Sequence, residues 1–69
     1  MDIKVIENNF TYHAPKAGQY EKYEQIRYAA KHFALALNDL CPDSREYALA
    51  MTKLEESVMW ANASIARNE

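Results

Sequence analysis

The sequence predicts an all-α protein: a short N-terminal helix, a loop, then two long antiparallel helices, assembled into a homo-oligomer. Three observations carry this reading. One Gly and two Pro are all that punctuate 69 residues. Apolar residues recur at steps of three and four along both long segments between these breaks. The chain is also too short to hide all of its apolar surface alone.

The elements follow in order. Residues 2–10 carry Ile3, Ile6 and Phe10 on one face, which suits a short helix. Residues 11–18 contain Pro15 and Gly18 and read as a loop. Residues 19–41 form the first long helix, with a seam of Tyr23, Ile26, Ala30, Phe33, Leu37 and Leu40. Pro42 ends it, because the residue before a proline is pushed out of the α region. Residues 43–68 form the second, opened by a capping-box pattern, Asp43-Ser44-Arg45-Glu46. Asp43 is the expected N-cap, with Ser44 as the alternative one residue later. The second seam runs through Tyr47, Met51, Leu54, Val58, Ala61 and Ile65. The tight connection at Pro42 makes the two helices antiparallel neighbours, each about 33–36 Å long.

Composition narrows the function classes. A chain of this length buries only about 60% of its unfolded surface, so a monomer is marginal. Disulfides, metals and self-association are the usual remedies. Cys41 is the single cysteine, and with His13 and His32 it makes no recognisable zinc set. Self-association is left. It also accounts for Tyr20, Leu35, Ala36, Leu49, Met59, Trp60, Ala63 and Ala66, which lie off the seams and form a second apolar stripe. No membrane helix and no signal peptide are expected, and the free cysteine fits a cytoplasm. The net charge of -2 argues against a DNA or RNA polymer as partner. It still permits a compact anion held by a few placed cations.

No catalytic constellation stands out, and no cofactor is expected. Glu21, Glu24, Glu55 and Glu56 fall at positions expected to face solvent. The segment Asn9-Phe10-Thr11-Tyr12-His13-Ala14-Pro15-Lys16 is different, since it gathers rings, amide and hydroxyl groups, an imidazole and an ammonium in irregular backbone. Such a loop suits a flat polar ligand, with Tyr12 or His13 stacking on a base and Lys16 meeting a phosphate. The plainer reading makes Phe10 and Tyr12 plugs for the open end of the hairpin. Phe10 is assigned to packing in either case. Arg27, Tyr28 and Lys31 form a cationic patch that is either solvated or anion-binding. Arg67 suits the dipole at the end of the last helix, or a phosphate across an interface.

At these residues a family resemblance enters. The run Cys41-Pro-Asp-Ser-Arg-Glu-Tyr-Ala-Leu-Ala-Met-Thr-Lys-Leu-Glu-Glu-Ser-Val-Met-Trp-Ala-Asn-Ala-Ser-Ile-Ala-Arg-Asn-Glu69 resembles the helical-hairpin domain of phage anti-defence sponges. These include the second class of anti-CBASS protein and the hairpin part of the anti-Thoeris sponges. The loop Phe10-Thr-Tyr-His-Ala-Pro-Lys16 followed by Tyr23-Glu-Gln-Ile-Arg27 is similar to the same family. The resemblance covers residues 9–69 and is most specific from Thr52 to Asn68.

The resemblance implies a hexamer that binds cyclic oligonucleotide messengers of bacterial immunity and withholds them without cleavage, in the host bacterial cytoplasm. Cyclic dinucleotides, such as cyclic GMP-AMP, would lie between paired protomers, and cyclic trinucleotides where three protomers meet. Tyr12 would stack on a base and Arg27 would bind a phosphate, with Asn9, Thr11, His13, Pro15 and Lys16 around them. Arg67 would serve the trinucleotide pocket. Some members carry a lysine at the Arg27 position; arginine keeps the charge but changes the hydrogen-bond geometry. Signals of the cyclic ADP-ribose type rank second. The rival from another class is a protein-interaction hairpin that depends on Leu49, Met59 and Trp60, and a small-nucleotide hydrolase is the third reading.

Overall fold

The computed structural model describes residues 1–69 and is all-helical. Helix α1 spans Ile3–Asn9, α2 spans Gln19–Leu40 and α3 spans Arg45–Asn68. Asp2 caps α1, its carboxylate accepting from the Lys4 amide at 2.9 Å. Helix α2 begins after Gly18, whose φ of 84° lies in the left-handed region that only glycine enters without strain. It ends at Leu40, where the Cys41 amide closes the last turn on the Leu37 carbonyl, and Pro42 prevents a further one.

The cap of α3 is Ser44, not Asp43. The Ser44 backbone is extended, and its hydroxyl accepts from the Tyr47 amide at 3.1 Å. That hydroxyl also donates to the Pro42 carbonyl. It is therefore held by the turn itself, which leaves Asp43 one residue outside the helix.

Helices α2 and α3 pack side by side and antiparallel, joined at both ends. At the turn, the Tyr47 hydroxyl donates to Asn38 Oδ1 at 3.0 Å. At the far end, Lys22 pairs with Glu69. All six seam residues expected on α3 are half-buried. On α2 the seam departs from its expected course. Tyr23, Ile26, Ala30 and Leu37 are half-buried, but Phe33 is 56% exposed and Leu40 77% exposed. Ala34 takes the place of Phe33, because a step of four after Ala30 lets two small residues face α3 closely. Phe33 is turned aside to border a shallow apolar groove with Leu54 and Val58.

Phe10, expected to pack, is 87% exposed in its own chain. Tyr12, at 85%, does not plug the hairpin either. The expected apolar face of α1 is open as well, with Ile3 and Ile6 both exposed.

No hydrophobic residue is fully buried anywhere in the protomer. Its radius of gyration is 15.2 Å, against about 11 Å for a compact chain of this length. It is a slab 13 Å thick and 44 Å long. It exposes 5733 Å², where a folded monomer of 8.0 kDa would expose about 4,450 Å². The excess of roughly 1,300 Å² exceeds the ~800 Å² that each partner contributes to a standard interface. No helix is long and apolar enough to cross a membrane.

Candidate functional site

The loop between α1 and α2 is held by the polar ends of all three helices. The last carbonyls of a helix have no partners within it and accept from outside. In α3 the Arg67 carbonyl accepts from Asn8 Nδ2 at 3.1 Å, and the main-chain oxygen of Glu69 accepts from Lys16 Nζ. His13 Nε2 lies 2.8 Å from the Asn8 carbonyl. A carbonyl can only accept, so Nε2 carries a proton and Nδ1 is the free nitrogen of the neutral ring. Thr11 donates to the Glu7 carbonyl and closes the last turn of α1.

With the loop held there, a cleft of about 500 Å³ opens between it and the hairpin. That volume is within the usual range for small-molecule sites, about 300–1,000 Å³. Tyr12, His13 and Pro15 form its loop wall. Tyr20, Tyr23 and Arg27, at helical steps of three and four, form the α2 wall. Asn62, Ala63 and Ala66 of α3 complete it, the small alanines leaving the space open.

The electrostatics of the cleft are simple. The two ion pairs of the protein are Lys22–Glu69 and Lys53–Glu56, so Arg27 has no acidic partner. Its guanidinium is exposed and keeps its five donors available. Asn62 Oδ1 is buried without a hydrogen-bond partner. An orphaned buried acceptor of this kind costs about 1–3 kcal/mol. No other buried side-chain nitrogen or oxygen of the protomer lacks a partner.

Four of the eight residues expected at the site, Tyr12, His13, Pro15 and Arg27, line this one cleft. The other four lie elsewhere. Lys16 covers the end of α3, Thr11 closes α1, and Asn9 is half-buried at the end of α1. Arg67 lies 6.0 Å from the Trp60 ring centroid, in a separate groove of about 510 Å³ with Met59, Glu55 and Glu56. The expected Arg27–Tyr28–Lys31 patch divides as well. Arg27 and Lys31 share a smaller apolar groove, while Tyr28 turns to the His32 ring at 4.3 Å.

Five cleft residues lie outside the expected site: Tyr20, Tyr23, Asn62, Ala63 and Ala66. Tyr23 reads as seam, and Tyr20, Ala63 and Ala66 as parts of the second apolar stripe. Asn62 carries a signal that was there to be used: a lone amide between Ala61 and Ala63 on a half-buried helix face.

The fold and the cleft thus define a small helical-hairpin protein with an open, aromatic-walled site beside an unpaired guanidinium. Residues 1–66 match the family described as "Acb2/Tad1, hairpin domain", and the chain belongs to that family. This is the hairpin shared by the anti-CBASS and anti-Thoeris proteins, phage sponges for signalling molecules. No curated protein and no solved structure matches the chain.

Proposed function

We propose that this protein is a homo-oligomeric sponge that binds cyclic oligonucleotide messengers and sequesters them without cleavage, blocking anti-phage signalling in the host bacterial cytoplasm. One observation carries the reading: three tyrosines, His13 and the unpaired Arg27 converge on a single open cleft. Aromatic faces stack on bases at about 1–3 kcal/mol per base. A free guanidinium matches a phosphate in charge and in fork geometry.

A cyclic dinucleotide carries two bases and two phosphates related by approximate two-fold symmetry. Two copies of the cleft facing each other across a dimer axis offer it two Tyr12 rings and two Arg27 guanidiniums. The excess protomer surface supports such pairing, and a hexamer is the assembly the family implies. The Arg67–Trp60 groove is a separate place for a cyclic trinucleotide. Sequestration needs only affinity and abundance, because messenger held by the sponge is removed from the free pool.

The exposed stripe of Leu35, Leu49, Met59 and Trp60 supports a second reading, in which the hairpin docks on another protein. Equilibrium dialysis of the oligomer with cyclic di- and trinucleotides separates the readings. The sponge retains a cyclic species and returns it intact on denaturation. Retention followed by recovery of a linear product would move the protein to the hydrolase class. No retention of any cyclic species, cyclic ADP-ribose types included, would favour the docking module.

A further inference from the structure

In a protomer with no buried hydrophobic residue, the one residue that is buried is a glutamine. Gln19, at the start of α2, is 4% exposed. Its amide joins three segments of chain. Oε1 accepts from the Lys16 amide of the loop at 2.9 Å, and Nε2 donates to Glu69 Oε1 at the end of α3 at 3.2 Å. Its own backbone amide donates to the Lys16 carbonyl at 3.0 Å. The orientation of the side-chain amide follows from its partners: a peptide N–H can only donate and a carboxylate can only accept. Lys22 pairs with the other oxygen of the carboxylate that Gln19 grips, and Lys16 Nζ donates to the main-chain oxygen of the same Glu69, so the residue is held at both its side chain and its backbone.

The position of this clasp gives it a role. In the chain Gln19 falls between the residues of the two walls, next to Tyr20 on α2 and three residues after the loop residue it holds. Nothing else bonds the Pro15–Gly18 part of the loop to the start of α2. We propose that Gln19 is the positioning residue of the cleft: it sets the loop wall that carries Tyr12 against the α2 wall that carries Arg27. This deepens the ligand reading above and rests on it for its effect on affinity. An apolar residue of similar size would fill the space but would break both side-chain bonds, leaving the Lys16 amide without a partner and the loop held to α2 only through the Lys16 carbonyl. Tyr12 is 85% exposed, and the bonds of its neighbours Thr11 and His13 tie it to α1, so its distance from the α2 wall depends on the clasp at Gln19.

The test uses the whole oligomer, with amide hydrogen exchange for the free protein and calorimetric titration for the ligand. Gln19→Leu is expected to speed exchange at the Lys16 amide about tenfold or more, with the central amides of α2 and α3 unchanged. It is expected to weaken cyclic dinucleotide binding about tenfold, or about 1.4 kcal/mol. That loss should vanish when Gln19→Leu is made in a Tyr12→Ala background, because a positioning residue has nothing left to position. Gln19→Glu sets a carboxylate against Glu69, and adding Glu69→Gln restores the donor–acceptor match. Affinity should fall in the first and recover in the pair, which keeps the test decisive if Gln19→Leu folds poorly. Equal losses with and without Tyr12 would overturn the proposal, as would unchanged Lys16 exchange. If the wild type binds no cyclic nucleotide, the ligand reading fails by itself, and Lys16 exchange still decides whether Gln19 holds the loop.

Discussion

The two ends of the hairpin are closed by different chemistry. At the turn end, Pro42, the Ser44 cap and one Tyr47–Asn38 bond suffice, and Leu40 beside them stays exposed. At the other end, Asn8, Lys16, Gln19 and Lys22 all reach the last residues of α3. A turn of this length needs little more than a proline and a cap to reverse a chain. The polar end does more than that, because it fixes the loop of residues 10–18, which has no helix or strand of its own. The cleft lies at that end, with its loop wall held by hydrogen bonds and its helix walls by apolar packing. Rigid elements thus present Arg27 and Asn62, while a held but open loop presents Tyr12.

Changes at the two ends should therefore have different readouts. The largest effect is expected from Arg27→Ala. Removing a charged partner of a phosphate costs about 1.5–3 kcal/mol, so affinity for a cyclic dinucleotide should fall about 10- to 150-fold with the oligomer intact by sedimentation. Wild-type binding by this variant would mean that the cleft is not the site. Next comes the hairpin seam. Leu54→Ala should lower stability by about 2 kcal/mol in chemical denaturation, at the low end for leucine because the side chain is only half-buried. Ser44→Ala should cost about 1 kcal/mol through the lost cap and leave ligand affinity unchanged. A loss of affinity there would show that the ends are coupled.

The smallest effect concerns pH. Hydrogen bonds from Lys22 and Gln19 hold the Glu69 carboxyl below its ordinary value, helped by the nearby ammonium groups of Lys22 and Lys16. A lowered folded pKa stabilises the fold above the unfolded pKa, and that contribution is lost as pH falls through the folded value. Glu69→Gln should therefore reduce the fall in melting temperature on acidification below the ordinary carboxylate range. The change should be slight, because the pair is solvent-exposed and screened.

Much of this contrast was legible in the sequence. Periodicity revealed the helices because a 3.6-residue repeat leaves its mark on every turn, and loop composition pointed to Tyr12 and His13, but also to Lys16, which instead covers the end of α3. Phe10 and Phe33 were misplaced for one reason: hydrophobicity says that a side chain wants cover, not that its own chain supplies it. Tyr23 shows a subtler limit, since a residue at the edge of a seam can serve packing and a cleft together. Gln19 could not be found by pattern. Its partners are three and fifty residues away, and only folding brings them to one amide.

Recognition of a cyclic nucleotide by the cleft is open to calorimetric titration of the oligomer. The panel is cyclic di- and trinucleotides, with the matching linear nucleotides as controls. Tight, saturable binding of a cyclic species is expected, one cyclic dinucleotide per two protomers, with little or no heat from its linear form. A flat panel from a folded, oligomeric protein would contradict it, and equal binding of cyclic and linear forms would show that the closed ring is not what the cleft reads.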